Sequence, residues 1–428
     1  MEILLNDNLL SVVRIVLYIM TVSLFLYAAY FFVIGLFSLT PNPKYQDVEK
    51  KARFAIVIAA RNEEAVIRNL VESLGQQNYP RELYDIIVIP NNCTDSTEDR
   101  AREKGAQIFK CKRTIKSKGE VLAEFFDYIL ENRDNPQNQY DAYCIFDADN
   151  LVDPEFLKAM NKAVQKGANA AQGYRDTKNP YDTAISSSYA IYYYLANHFY
   201  NHPRHYLGLS ALISGSGFMV SHNMIAKMNG WNTKTMTEDI ELTAKCILNG
   251  YKVFWVPEAI IYDEQPLTFS QSWRQRKRWT TGLIQSLEHY VMPLIKNTFN
   301  NKSFRSFDMI MFLMALSTQI LYILSILLTM ILDYDMVKIK NVDYMYVIYR
   351  FAGALILSYL VCVIVTTLVV KMAKKKPFKM IKGILFFCGF VFSWVPINLI
   401  CMFKKETTWH QIDHTVAVKI DQVTTDSD

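Results

Sequence analysis

Apolar residues in this chain come in runs of two lengths, and the lengths divide it. Ser11 to Phe37 is long and contains one charge, Arg14. Phe307 to Leu332 and Tyr344 to Val370 are of the same kind, and Lys382 to Phe403 is a weaker version interrupted by Trp394 and Pro396. Such runs can cross the roughly 30 Å hydrocarbon core of a bilayer. The first has no small-residue cleavage site before Pro41-Asn42-Pro43, so it reads as a retained span rather than a signal peptide.

From Phe54 to Tyr290 the runs are short. Phe54 to Ala60 is continuously apolar, as a buried parallel strand is. Arg61-Asn62-Glu63-Glu64 should open a helix with apolar positions at Val66, Leu70 and Leu74. Further strands are expected at Asp85–Ile89, Gln107–Cys111, Tyr143–Phe146, up to Arg175, at Phe218–Ser221 and at Val253–Val256. Helices should follow Ser117-Lys118-Gly119, start at Asp153-Pro154-Glu155 with Asp153 as N-cap, run from Thr237-Glu238-Asp239 to Asn249, and start at Phe269. Strands and helices in this alternation predict an α/β fold with a right-handed parallel sheet, whose ligand sits beyond the carboxyl ends of the strands. The polar clusters Arg61-Asn62-Glu63, Asn91 to Asp95 and Asp147 to Asp149 all fall at such ends. No GxGxxG follows the first strand, which argues against a dinucleotide fold.

Composition changes this picture in few places. The 51% hydrophobic content averages two unlike parts, and a net charge of +5 with no nucleic-acid-binding pattern gives no reason to expect nucleic acid as a partner. Lysines follow the first span (Lys44, Lys50, Lys51) and the third (Lys371, Lys374, Lys375, Lys376, Lys379, Lys382), so both clusters and the α/β part should be cytoplasmic. Seven cysteines without a CxxC pair read as buried thiols in a reducing compartment. His198, His202 and His205 have a helical spacing that zinc sites use, but Pro203 should break that helix and no carboxylate is near in sequence; a buried or interfacial aromatic helix over Tyr181–Tyr206 is the better reading.

Three motifs carry candidate chemistry. Phe146-Asp147-Ala148-Asp149-Asn150 places two carboxylates directly after a strand, where oxygens can hold a divalent metal carrying phosphates. Thr237-Glu238-Asp239 puts acids at a helix start, and Gln275-Arg276-Lys277-Arg278-Trp279 puts cations on a later helix, with Gln275, Arg278 and Trp279 on one face. Ser214-Gly215-Ser216-Gly217 lets backbone approach a ligand. Each motif alone also fits an ordinary turn, helix start or solvated basic helix. In this order they point to metal-assisted transfer from a nucleotide donor, with Asp239 as base.

Those motifs resemble the membrane-bound family 2 glycosyltransferases, the synthases of cellulose, chitin, hyaluronan and poly-N-acetylglucosamine: DxD at Asp147-Ala148-Asp149, Thr237-Glu238-Asp239, and QxxRW at Gln275 to Trp279. The resemblance implies a glycosyltransferase A-type (Rossmann-like) cytosolic domain inserted between transmembrane helices, an inverting reaction, and Mg²⁺ or Mn²⁺. Asp149 with Asp147 would hold the metal; Asp239, beside Glu238, would be catalytic. Ala60, Asn62, Glu63, Asn91, Asn92, Lys118, Asp147 and Arg278 would bind the nucleotide-sugar donor. Trp279, Gln275, Gly215 and Gly217 would meet the acceptor. Asn91-Asn92 stands where the family usually has an aspartate, and asparagine can still hydrogen-bond a base or ribose. Trp409, with His410 and His414, resembles the segment that covers the donor in these synthases.

The implied organisation is an N-terminal transmembrane helix (1–40), the catalytic domain (50–268), interfacial amphipathic helices with QxxRW (269–305), a transmembrane region (306–403) of two clear spans and a weaker one, and a tail (404–428) that could gate. The expected function is a processive plasma-membrane polymerase making a β-linked polysaccharide from a nucleotide sugar, a UDP-sugar by the resemblance, and exporting it. Burying a sugar hydroxyl in hydrocarbon costs roughly 4–8 kcal/mol, so export needs a polar path. Membrane lipids and the growing polysaccharide are the other expected partners, with room for accessory membrane or envelope proteins and for a homo-oligomer. The rivals are transfer of one sugar to a lipid acceptor, which QxxRW disfavours within the resemblance, and a non-catalytic assembly subunit.

Overall fold

The computed structural model describes residues 7–48, 52–113, 115–339, 343–404 and 418–424. Its centre is one eight-stranded sheet made of β1 (Phe54–Ala60), β2 (Tyr84–Pro90), β3 (Gln107–Ile108), β4 (Ala142–Asp147), β5 (Leu151–Val152), β6 (Ala170–Thr177), β7 (Phe218–Ser221) and β8 (Val253–Asp263), in the order β3-β2-β1-β4-β7-β6-β8-β5. The helices are α1 (Asp7–Leu36), α2 (Ile67–Gly75), α3 (Thr97–Glu103), α4 (Lys118–Glu131), α5 (Phe156–Gln165), α6 (Ala184–Leu195), α7 (His202–Tyr206), α8 (His222–Lys227), α9 (Glu238–Leu248), α10 (Phe269–Asn300), α11 (Phe304–Leu313), α12 (Ala315–Ile339), α13 (Tyr344–Met372), α14 (Ile381–Phe392), α15 (Trp394–Phe403) and α16 (Ile420–Thr424).

Alternation along β1 sends its side chains to both faces of the sheet. Phe54, Ile56 and Ile58 pack with Leu70 and Leu74 of α2 and with Leu157 and Met160 of α5. Ala55 and Val57 pack with Leu122 and Phe125 of α4 and Leu242 of α9. Fully burying one of the larger of these side chains is worth about 1.5–3 kcal/mol, so helices on both faces stabilise the sheet. Beyond β1 the strand order reverses: β2 lies on one side and β4 on the other, both parallel to it. That reversal opens a crevice at the carboxyl ends of β1 and β4.

The structure corrects several expected elements. The sheet is mixed rather than wholly parallel, because β7 runs antiparallel to β4 and β6, and β5 antiparallel to β8. No helix opens at Arg61. Asn62 takes a left-handed φ of 54°, the Glu63 N–H donates to Thr97 Oγ1 (2.8 Å) and the Glu64 N–H to Asp95 Oδ2 (3.1 Å), so α2 starts only at Ile67. Side-chain acceptors have outcompeted the helix there. Strand β3 stops at Ile108, and α5 starts at Phe156 because Asp153 instead closes a turn onto the Glu155 N–H. Pro203 does not break its helix: a π-helical stretch, Ala196–Asn201, leads directly into α7, where Pro203 sits in the first turn, and the change of helical pitch accommodates it. The three histidines of that stretch go to different partners, His198 facing the Tyr174 hydroxyl, His202 the Pro41 carbonyl and His205 the Trp255 N–H. Strand β8 continues through Pro257 to Asp263, the irregularity being absorbed as a register shift against β6 between Gly173 and Tyr174.

Among the described residues four stretches are long and apolar enough to cross a membrane: Asn8–Leu39, Ala315–Tyr334, Tyr344–Met372 and Ile381–Phe403. Large apolar side chains such as Phe25, Phe32, Ile356 and Leu357 stand exposed on them. The expected span from Phe307 is in fact two helices. Asp308 of α11 is buried where Arg204 of α7 donates two bonds to it (2.9 and 3.0 Å) and the Tyr30 hydroxyl of α1 a third (2.7 Å). A second buried pair, Lys375 with Asp176 at 3.0 Å, fastens the lysine-rich connection after α13 to the end of β6, and the Tyr194 hydroxyl also donates to Asp176 (2.8 Å). Helices α14 and α15 are separated at Ser393 and lie along α6 and α10. Ile420 and Val423 of α16 are buried against Leu151 and Tyr262, so the chain returns to the β5–β8 edge of the sheet. Trp409, His410 and His414 lie outside the described residues.

Candidate active site

Each arm of the site is delivered by a local feature that the sequence dictates. Ser117 caps α4 through the Glu120 N–H (3.2 Å), which fixes Lys118 in the first turn. A Cβ on the next residue, Gly119, would lie 2.7 Å from Thr233 Oγ1, so only glycine lets α4 come this close to the loop before α9. As a result the Lys118 ammonium donates to Asp147 Oδ1 (2.5 Å) and to the Gly215 carbonyl (2.8 Å), and stands 3.7 Å from Glu238 Oε1. One half-buried cation thus joins the DxD corner, the glycine loop and the Thr-Glu-Asp corner.

Asp147 ends β4. Its N–H donates to Ser216 Oγ (2.9 Å) and Asn150 Oδ1 (3.2 Å), and Asn150 donates in turn to Asp263 Oδ1 (2.7 Å). Arg175 donates to the other oxygen of Asp263 (2.6 Å from Nε) and to the Ser214 carbonyl, and lies 4.2 Å from the centre of the Tyr193 ring. Burial would push the Asp147 carboxyl up, but the charges of Lys118, Arg175 and Arg278 outweigh it and hold it below the usual carboxylate range. Asp263 is pushed the other way, up to about 6, by burial and by the charges of Asp149 and Asp147, against the pull of Arg175.

Asp149 faces the opposite side of the corner. Its Oδ2 accepts from the Glu264 N–H (3.3 Å), and its charge acts on Lys178, which also feels Glu264, Asp263 and Glu63. Burial nevertheless holds Lys178 below its ordinary value. The residues expected to bind the donor follow the carboxyl ends of β1 and β2: the Asn91 N–H donates to the Ala60 carbonyl (2.8 Å), Asn62 Oδ1 accepts from the Thr94 N–H (2.8 Å), and Asn92, also left-handed, donates to the Ile115 carbonyl (2.9 Å).

The donor set suits Mg²⁺ or Mn²⁺. Asp147 and Asp149 at the end of β4 and Asp263 at the end of β8 offer hard carboxylate oxygens, with Asp147 answered by Lys118 and Asp263 by Arg175. Among the described residues no three His, Cys, Asp or Glu side chains converge on one point. Such a site takes a cation that keeps water and substrate phosphates as its other ligands.

Asp239 projects from the first turn of α9. A Cβ built on Gly215 would be 3.5 Å from Asp239 Oδ2 and 3.6 Å from Arg175 Nη1, so the left-handed glycine (φ 88°) keeps a gap open beside that oxygen. Burial, then the charge of Glu238, push the Asp239 carboxyl up to about 7. Gly217 is placed differently: a Cβ there would strike Ile261 at 2.6 Å, so it packs beneath the loop rather than toward the gap.

Helix α10 closes the site. Thr268 and Gln271 form a capping box at its start. Gly282 lies against Thr237, and Gln285 accepts from the Met236 N–H (2.9 Å), so α10 docks directly on the Thr-Glu-Asp corner. One turn earlier, Arg278 is near enough to act on Asp147. The Trp279 ring is 6.1 Å from Tyr192 and 6.4 Å from Trp394, at 28° and 29° between planes, and Tyr192 lies within electrostatic reach of Asp239. Of the QxxRW residues, Gln275, Arg278 and Trp279 are half-buried, whereas Arg276 is fully buried. Sequence reasoning missed Arg175, Lys178 and Asp263 as members of the site. Their signal was position at the ends of β6 and β8, hidden for Asp263 by Pro257 and Glu258.

The family model described as "Glycosyltransferase like family 2" matches residues 52–282, which include every corner described above. The chain is 27% identical over 250 residues to a probable glycosyltransferase, YdaM, of Bacillus subtilis, covering 56% of this chain and 57% of that one. It is 25% identical over 288 residues to a beta-monoglucosyldiacylglycerol synthase of Nostoc sp., covering 66% and 60%, and 23% identical over 251 residues to a poly-beta-1,6-N-acetyl-D-glucosamine synthase of Staphylococcus aureus, covering 58% of each. The chain therefore spans less than two thirds of the length of these curated relatives. In fold it is similar to a mannosyltransferase of Pyrobaculum calidifontis solved with GDP-mannose and Mn²⁺, with a TM-score of 0.58 at 14% identity, covering 92% of this chain and all of that one. The fold is of the glycosyltransferase A type, and the chain belongs to the family 2 glycosyltransferases.

Proposed function

We propose that this chain is an inverting, membrane-embedded hexosyltransferase that polymerises a β-linked glycan from a nucleotide sugar held at the crevice between β1 and β4. The observation that carries the glycan reading is the ring surface of Trp279 and Tyr192 beside Asp239, because pyranose rings stack on aromatic faces whereas a glycerol headgroup has no ring to place there.

In this reading the acceptor hydroxyl enters the gap beside Gly215 and gives its proton to Asp239, whose raised pKa suits a base working near neutral pH. The hydroxyl oxygen attacks the anomeric carbon, and the bond to the diphosphate breaks on the opposite face. The electron pair leaves with the diphosphate, so an α-linked donor gives a β-linked product. Lys118 and Arg278 answer the charge that gathers there in a pocket poor in water. A divalent cation bound at Asp149, with Asp147 nearby, would supply further charge neutralisation at the diphosphate. Asn62, Glu63, Asn91 and Asn92 would hold the nucleoside.

The domain is placed on the cytosolic side of a plasma-membrane protein with several spans. The lysine-rich connection Lys371–Lys382 supports this, since Lys375 is bound to the domain through Asp176. The rival is transfer of one sugar to a membrane lipid. It is supported by the beta-monoglucosyldiacylglycerol synthase relative. Incubating the full chain in nanodiscs with radiolabelled UDP-glucose or UDP-N-acetylglucosamine separates the two: polymer retained on a sizing column is expected, and label found only in a one-sugar lipid would establish the rival.

A further inference from the structure

The sequence treats Trp394 and Pro396 as defects in an apolar run, yet the structure uses both. Pro396 has no N–H for the Phe392 carbonyl, and the helix divides into α14 and α15 at Ser393. Non-helical backbone at membrane depth is tolerated where protein buries it or where it lines a polar cavity. Here Arg276 of α10 reaches the division: its Nη1 donates to the Phe390 carbonyl (3.0 Å) and to Ser393 Oγ (2.7 Å), so a cation caps the carboxyl end of α14. Arg276 is fully buried, has no carboxylate partner among the described residues, and leaves Nη2 without a hydrogen bond. A buried cation without a carboxylate partner costs stability, and that cost is accounted for if its position serves something else.

What it positions is Trp394. The guanidinium carbon lies 5.1 Å from the centre of the Trp394 ring and 4.5 Å from that of Phe390. Trp394 in turn is 5.6 Å from Tyr192 and 6.4 Å from Trp279, with 39° and 29° between planes. With the 6.1 Å between Tyr192 and Trp279, the three centroids form a nearly equilateral triangle. A column of stacked rings would set its outer pair about twice as far apart as its neighbours, so the three rings form a compact cluster, with Trp279 stacked against both of the others and Tyr192 tilted to Trp394. All three are half-buried, whereas Tyr189, Tyr193 and Phe390 behind them are buried. Contacts on either side of the division hold it there. Gly383 is pressed onto Ser187 of α6 so tightly that a Cβ would be 2.1 Å from the Ser187 Cβ, and Thr280 of α10 donates to Asn398 Oδ1 (2.8 Å).

We propose that Trp394 is an acceptor contact, extending the surface of Trp279 and Tyr192 to a further pyranose ring of a β-linked glycan, and that Arg276 is the positioning residue that holds it there. This rests on the glycan reading above and adds a second acceptor subsite, built from the membrane-associated hairpin rather than from the catalytic domain.

The test uses the full chain in nanodiscs, UDP-glucose with cellotetraose and UDP-N-acetylglucosamine with chitotetraose, and UDP release as the signal. Trp394→Ala should raise the KM for the stimulating tetrasaccharide about tenfold or more while kcat at saturation falls less than threefold, and Arg276→Met should do the same more weakly. Retention of the thermal shift given by UDP with Mn²⁺ shows that each variant is folded. If Trp394→Ala fails that check, Trp394→Phe takes its place, with a rise of about threefold expected. A wild type stimulated by a tetrasaccharide together with an unchanged KM in the folded variant overturns the Trp394 assignment alone. A wild type that neither tetrasaccharide stimulates sinks the glycan reading and this subsite with it.

Discussion

Gly282 of α10 rests directly on Thr237: a Cβ at Gly282 would lie 2.3 Å from Thr237 Oγ1 and 2.5 Å from its Cγ2. The contact joins the helix that carries Arg278 and Trp279 to the corner that carries Asp239. Both residues are buried, so neither can swing aside. Gly282→Ala should therefore push α10 from α9 and lower sugar transfer at least about tenfold, since small displacements of reacting groups are costly. UDP affinity, measured by calorimetry, should change much less. Unchanged transfer would show that the docking of α10 does not set the site.

Lys118 is a half-buried cation shared by Asp147, the Gly215 carbonyl and Glu238. Lys118→Met keeps most of the volume and removes the ammonium that Asp147 and Glu238 share. Expected are a donor KM raised by about an order of magnitude and a kcat lowered by at least as much, read from UDP release against donor concentration. A variant altered in neither would remove Lys118 from the donor site.

The pH dependence follows from Asp239. A base must be ionised to accept a proton, so kcat/KM should climb with pH through about 7 and level off above it. Burial sets most of that shift and the charge of Glu238 adds to it, so Glu238→Gln should move the rising limb to lower pH. Stability runs the opposite way. The folded state holds this proton more tightly than the unfolded chain, so the associated stability is full below the ordinary carboxylate range and is lost as pH rises through about 7. Asp239→Asn should therefore gain melting temperature over wild type at pH 8 and not at pH 4. A rate profile that falls across pH 6 to 8 would contradict the assignment of Asp239 as base.

Much of the site was legible because polar residues at strand ends have few structural reasons to be there. Asp147 and Asp149 follow an apolar strand, and Glu238-Asp239 open a helix, so their chemistry showed through the local pattern. Local pattern failed where distant partners decided the outcome. The acids after Arg61 looked like a helix start, but Asp95, in the loop after β2, and Thr97, the first residue of α3, captured their N–H groups. Asp263 was lost because Pro257 seemed to end β8, whereas a register shift against β6 carried the strand past it. Arg175 gained its meaning only from Asp263 and Ser214, each far away in sequence. Trp394 and Pro396 weakened an apolar run on the page and proved to mark a helix division facing Trp279.

The central claim is that Asp239 takes the acceptor proton at a site whose donor machinery lies on other elements. Asp239→Asn in the full chain, with labelled nucleotide sugar at saturating concentration, tests it most directly. The account predicts transfer reduced by about three orders of magnitude or more with UDP affinity close to that of wild type. Near-wild-type transfer by a folded Asp239→Asn protein would contradict it.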